Sequence, residues 1–145
     1  MVPTLLGRVQ TRLFLLAIVG GAVTALITPL LPAAGPISQR YQTTYVVLAA
    51  VAVLGIGWEL IYHLLMQWRW EKDWPTLFGL LTLIPEGILV WALATRQMLP
   101  GLPGPVPSMA FAIHFVLVWL IVWMVANGPM RVPFVHWRFR GGQLM

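Results

Sequence analysis

The chain has 145 residues, 59% hydrophobic and only 9% charged, with a formal net charge of +5. Soluble globules carry about 25% charged residues, so this composition is suited to lipid, and the length leaves room for one domain. With no cysteine, the sequence excludes disulfides, thiolate metal sites, iron–sulfur clusters and cysteine nucleophiles. Its nine basic residues punctuate the ends of apolar segments and do not form the basic stripe that nucleic acid requires.

A basic lead, Met1–Arg12, precedes an uncharged run from Leu13 to Gln39. Basic lead, apolar stretch and Ala33–Ala34 together imitate a secretory signal peptide. We read the run instead as a retained first helix over about 12–33, ended by Pro29 and Pro32. A second helix, over about 43–67, is bracketed by Arg40 and Arg69 and interrupted only by Glu59 and His63. The polar hairpin Trp68-Arg69-Trp70-Glu71-Lys72-Asp73-Trp74-Pro75 follows. Asp73 suits the cap of the next helix, and Pro75 suits a first turn. That third helix, over about 75–96, holds a single acid, Glu86, directly after Pro85. Leu99–Pro107 contains four prolines and two glycines and is not helical. The fourth helix runs over about 108–127 and stops at Gly128-Pro129.

Each run holds roughly 20 residues, enough to cross a ~30 Å hydrocarbon core at 1.5 Å per residue. The predicted fold class is therefore all-α: a four-helix transmembrane bundle forming one membrane domain over 1–145, with a basic-aromatic tail over 129–145. Seven basic residues (Arg8, Arg12, Arg69, Lys72, Arg131, Arg138 and Arg140) fall on one side of this topology, and only Arg40 and Arg96 on the other. The positive-inside rule sets the first group, with both termini and the helix 2–3 hairpin, in the cytoplasm. An inner (plasma) membrane location follows. Trp68, Trp70, Trp74 and Trp137, with Arg138 and Arg140, are expected to anchor the chain at that interface. The tail, from Pro133 to Gly142, reads as such an anchor ahead of a docking strip for a partner or anionic lipid.

Polar residues inside the spans are the functional candidates. Small and polar stripes should turn inward: Ala17, Gly20, Gly21, Thr24 and Thr28 on helix 1, and Ala52, Gly55, Glu59, Tyr62, His63 and Met66 on helix 2. Helix 3 offers Gly79, Thr82 and Glu86, and helix 4 offers Ala110 and His114. At 1.5 Å per residue, Glu86 falls near the midplane, Glu59 roughly 5 Å and His63 roughly 11 Å towards the cytoplasm, and His114 roughly 5 Å beyond the midplane. Glu59 and His63, four apart, are placed to pair. Glu59, His63 and Glu86 thus form an expected polar cluster, with Tyr62 and His114 as outer members. No Lys or Arg lies at that depth to neutralise two carboxylates. The acids would then be protonated, or neutralised by a visiting cation or a partner subunit. Glu86→Gln should on this reading preserve folding.

Haem ligation by His63 and His114 is disfavoured by their roughly 16 Å difference in depth. Ser38 and Ser108 have no acid–base partner in reach, and no phosphate-binding loop or dinucleotide fingerprint is present. No catalytic residue, metal site or cofactor is predicted. The expected partners are the lipid bilayer and other membrane subunits or further copies of the chain, with no nucleic acid. Three functions stay open: foremost, a non-enzymatic accessory or assembly subunit of a larger membrane complex; second, a small proton-coupled transporter using Glu59 and Glu86; third, a membrane-embedded acid–base enzyme acting on a lipid or quinone. The topology is open to a labelling test. A cysteine at position 72 or 140 should react with an impermeant reagent only after the membrane is opened, and one at position 104 in intact cells. Labelling of position 72 from outside would overturn the orientation.

Overall fold

The computed structural model describes residues 4–71 and 75–144. The chain is all-α, with no strand among the described residues. Four helices are long and apolar enough to cross a membrane: α1 (Leu5–Leu30), α2 (Ile37–Gln67), α3 (Thr76–Thr95) and α4 (Ser108–Asn127). A short fifth helix, α5 (Val135–Phe139), follows in the tail.

The first helix starts earlier than the sequence predicts. Thr4 is extended, and its hydroxyl accepts the Gly7 N–H at 3.1 Å, a side-chain cap that opens the helix at Leu5. Arg8 and Arg12 are therefore helical residues and not a lead. A π turn over Leu16–Gly20 widens α1. At about 100° per residue, twenty residues of regular helix would put Thr28 roughly 200° round from Arg8; the wider turn takes back much of that rotation. The row Leu16, Gly20, Thr24 and Thr28 is buried as a result, whereas Ala17 points outward. α2 likewise begins ahead of the expected residue 43, at Ile37, because extended Pro36 supplies a preset start.

Pro85 has no N–H to offer the Leu81 carbonyl, and α3 breaks at Thr82 into Thr76–Leu81 and Leu83–Thr95. Helix 4 ties down the first segment. The Trp119 indole donates to the Gly79 carbonyl at 3.2 Å and the Trp123 indole to the Thr76 carbonyl at 3.0 Å. Between the helices, Leu16, Val47, Leu48, Val51, Val90, Phe111, Phe115 and Val118 form the central apolar cluster. Ile18, Leu26, Val53, Leu60, Leu64, Ile84, Ile88 and Met124 are exposed. Large apolar side chains covering the outside are what a lipid-facing bundle requires.

The tail folds back over the first half of α1. Thr4 N–H donates to the Gly141 carbonyl at 2.8 Å, the Thr11 hydroxyl to the Gly142 carbonyl at 2.9 Å, and the Trp137 indole to the Thr11 hydroxyl at 2.7 Å. The approach is close because Gly7 has no side chain; a Cβ there would collide with the Gly141 carbonyl. Trp137 is buried in this contact, so it is a packing residue and not the interface anchor expected of it. Trp68, Trp70, Arg138 and Arg140 are by contrast exposed. Lys72, the expected cap Asp73 and the expected anchor Trp74 lie outside the described residues.

Candidate functional site: a charge cluster within the bundle

The acids predicted to be unneutralised are paired, and their partners come from α1. Arg12 Nε donates to Glu59 Oε1 at 2.8 Å, while its Nη1 and Nη2 donate to Glu86 Oε2 and Oε1 at 2.7 and 2.9 Å. Arg8 Nε donates to the other Glu59 oxygen at 2.6 Å. The Tyr62 hydroxyl completes the Glu86 shell at 3.0 Å. One guanidinium thus spans two carboxylates, taking one of them with both terminal nitrogens, the fork geometry that makes arginine pairs strong.

Helix phase and start position explain why these groups meet. Arg12 lies about 10 Å along α1 from Leu5, Glu59 about 12 Å from the Gln67 end of α2, and Glu86 about 15 Å from Thr76. All three ends lie on one side of the bundle, so the side chains share a layer. Gly55, one turn from Glu59, makes room for the guanidinium: a Cβ there would collide with Arg12 Nη1 and Cδ. On the other flank the Trp119 ring lies 5.7 Å below the Arg12 guanidinium carbon, a cation–π distance. The side chains of Arg8, Arg12, Glu59 and Glu86 are only 8, 11, 9 and 2% exposed, which removes the cluster from contact with acyl chains. Two positive and two negative groups cancel, and this balance makes burial of all four tolerable.

Of the predicted site residues, Glu59, Glu86 and Tyr62 converge, but His63 does not join them. Its Nε2 lies 3.5 Å from the Gln67 amide, and its Nδ1 is buried with no hydrogen-bond partner among the described residues. The Glu59–His63 pair does not form because Arg8 and Arg12 occupy both oxygens of Glu59. His114 belongs elsewhere, bonded through Nε2 to the Thr24 hydroxyl at 2.9 Å. Sequence reasoning missed Arg8 and Arg12, although their spacing of four, continued by Leu16 and Gly20, marks one helix row.

The cluster forms part of the wall of a cavity of about 280 Å³ that reaches the tail end of the bundle. Arg8, Arg12, Glu59 and Tyr62 line it alongside Trp119, Trp123 and Trp137. Among the described residues no group of three His, Asp or Glu side chains is placed to hold a metal ion. No protein-family model, curated protein or solved structure matches the chain.

The pairing runs against the expectation that Glu86→Gln preserves folding, because an amide leaves Arg12 one negative charge short. Removing one member of a buried ion pair costs about 3–5 kcal/mol, whereas an apolar replacement of the whole set is often neutral. Arg12→Met should therefore destabilise by that amount. The double variant Arg12→Met, Glu86→Gln, which keeps the Arg8–Glu59 pair, should recover a large part of the loss. Reversible unfolding in mixed micelles measures both, and a double variant no more stable than Arg12→Met would contradict the pairing.

Proposed function

We propose that this small multi-pass membrane protein is a non-enzymatic accessory or assembly subunit of a larger complex in the inner (plasma) membrane, with its termini cytoplasmic. One observation carries the reading. The intramembrane charges of α1, α2 and α3 neutralise one another. That removes the motive for giving Glu59 and Glu86 a proton-carrying role, since each carboxylate already has its cation. It equally leaves no unpaired acid within the described spans to serve as a general acid on a lipid or quinone. The cluster reads as an internal clamp, fixing the mutual rotation of three helices and so the outer surface that they present. Trp68 and Trp70, 85 and 99% exposed, and Phe139, 75% exposed, give that surface large contact groups beyond the bundle.

Partner dependence tests this. A tagged full-length chain extracted in mild detergent should bring down one membrane polypeptide in fixed proportion. The abundance of that polypeptide should fall in cells lacking this chain. A chain that purifies alone, with no membrane protein changing in abundance on its deletion, would overturn the subunit reading.

A further inference from the structure

The end of the bundle opposite the charge cluster holds a second cavity, of about 450 Å³. Its volume falls inside the roughly 300–1,000 Å³ typical of small-molecule sites. Thr28, Thr44 and His114 line its inner part, and Gln39, Arg40 and Thr43 lie on the first turns of α2. The remaining wall is apolar, supplied by Leu31, Val47, Val106 and Phe111 with the prolines of the α3–α4 loop. No acid lines it, and Arg40 is its one charged lining residue among those described.

Two features distinguish this cavity, the first at its rim. Gly35 and Gly101 both take positive φ, 96° and 88°, a conformation that side-chain-bearing residues rarely adopt. Each turn presents a carbonyl to α2: Arg40 Nε donates to Gly35 O at 3.2 Å, and Gln42 Nε2 to Gly101 O at 2.7 Å. The Gln97 amide holds the far side of the loop through Gly104 O at 3.3 Å. Arg40 is thus steadied through Nε alone. Its two terminal nitrogens have no protein partner among the described residues.

His114 is the second feature. It is 3% exposed, and Thr24 is the one hydrogen-bond partner of its ring among the described residues. Thr24 meets Nε2, so Nδ1 has no protein partner among the described residues, and the inner part of the cavity around it is otherwise apolar groups and hydroxyls. The Thr28 hydroxyl donates to the Thr24 carbonyl and lies 3.0 Å from the Thr44 hydroxyl, which has the Arg40 carbonyl within reach at 3.1 Å.

We propose that this cavity binds a small organic monocarboxylate with an apolar body. A planar guanidinium fork matches a carboxylate, and a lone cation matches one negative charge, not two. The apolar wall takes the body of the ligand, and His114 offers a polar contact at its far end. The site is separate from the Arg12 cluster and does not depend on the chain being a subunit.

Benzoate is a suitable probe, applied to the full chain in nanodiscs, with benzyl alcohol as its uncharged counterpart and inorganic phosphate as a second anion. Benzoate should bind saturably and shift the ring ¹⁵N resonances of His114. Benzyl alcohol and phosphate should each bind at least tenfold more weakly. Arg40→Gln should weaken benzoate by roughly ten- to hundredfold, the loss of a charge-assisted hydrogen bond. Arg40→Lys, keeping charge without the fork, should fall between. Absence of a saturable His114 shift, equal binding of benzyl alcohol, or unchanged affinity in a folded Arg40→Gln chain would each overturn the proposal.

Discussion

A guanidinium held between two carboxylates within a membrane bundle sets the terms for the rest of this fold. A charged side chain at the centre of a bilayer costs about 2.5–3.5 kcal/mol on insertion scales, and more without a partner. Arg12 escapes that cost by meeting Glu59 and Glu86 together, with Arg8 balancing the second acid. The helices are then no longer free to rotate independently. Turning α2 by one residue, about 100°, would carry Glu59 out of reach of both arginines and bury or expose it unpaired. Apolar packing between helices has no such selectivity in lipid, where acyl chains are as apolar as the side chains they replace.

Several local features serve this constraint. Gly55 clears the path of the guanidinium, and Trp119 covers its other face. The π turn after Leu15 keeps Thr24 and Thr28 inside the bundle, so that Thr24 meets His114 and Thr28 meets Thr44. α1 consequently carries polar contacts at both ends of one buried row, separated by the apolar layer around Leu16, Val51 and Val118. The tail closes over the N-terminal end, where the contact at Gly7 brings two backbones together without intervening side chains. Each cavity lies beside one of these polar ends.

Much of the architecture was legible because membrane spans are set by length and apolarity. The four helices and the stop at Gly128 follow from local composition, whereas the third helix, expected to run unbroken, parts at Thr82 ahead of Pro85. Glu59, Tyr62 and Glu86 stood out as polar groups in apolar runs. The start of α1 was misread because Arg8 and Arg12 look like interfacial charges by position. The Thr4 cap and the four-residue spacing were weaker signals than the charge itself. Glu59 and His63 are four apart on one helix face, yet the arginines of α1 hold both Glu59 oxygens, a contact between helices that spacing within α2 does not encode. The docking of Trp137 on Thr11 joins residues 126 apart, and no local pattern encodes a contact of that separation.

An ionised, internally paired cluster is the claim from which both the clamp and the subunit reading descend. Infrared difference spectroscopy of the carboxyl region, comparing the native chain with Glu86→Gln at neutral pH, measures it directly. The substitution is expected to remove an ionised carboxylate band and no protonated carboxyl stretch. A protonated stretch lost on substitution would contradict it, leaving Arg12 without its second anion and returning Glu86 to the role of a proton-holding acid.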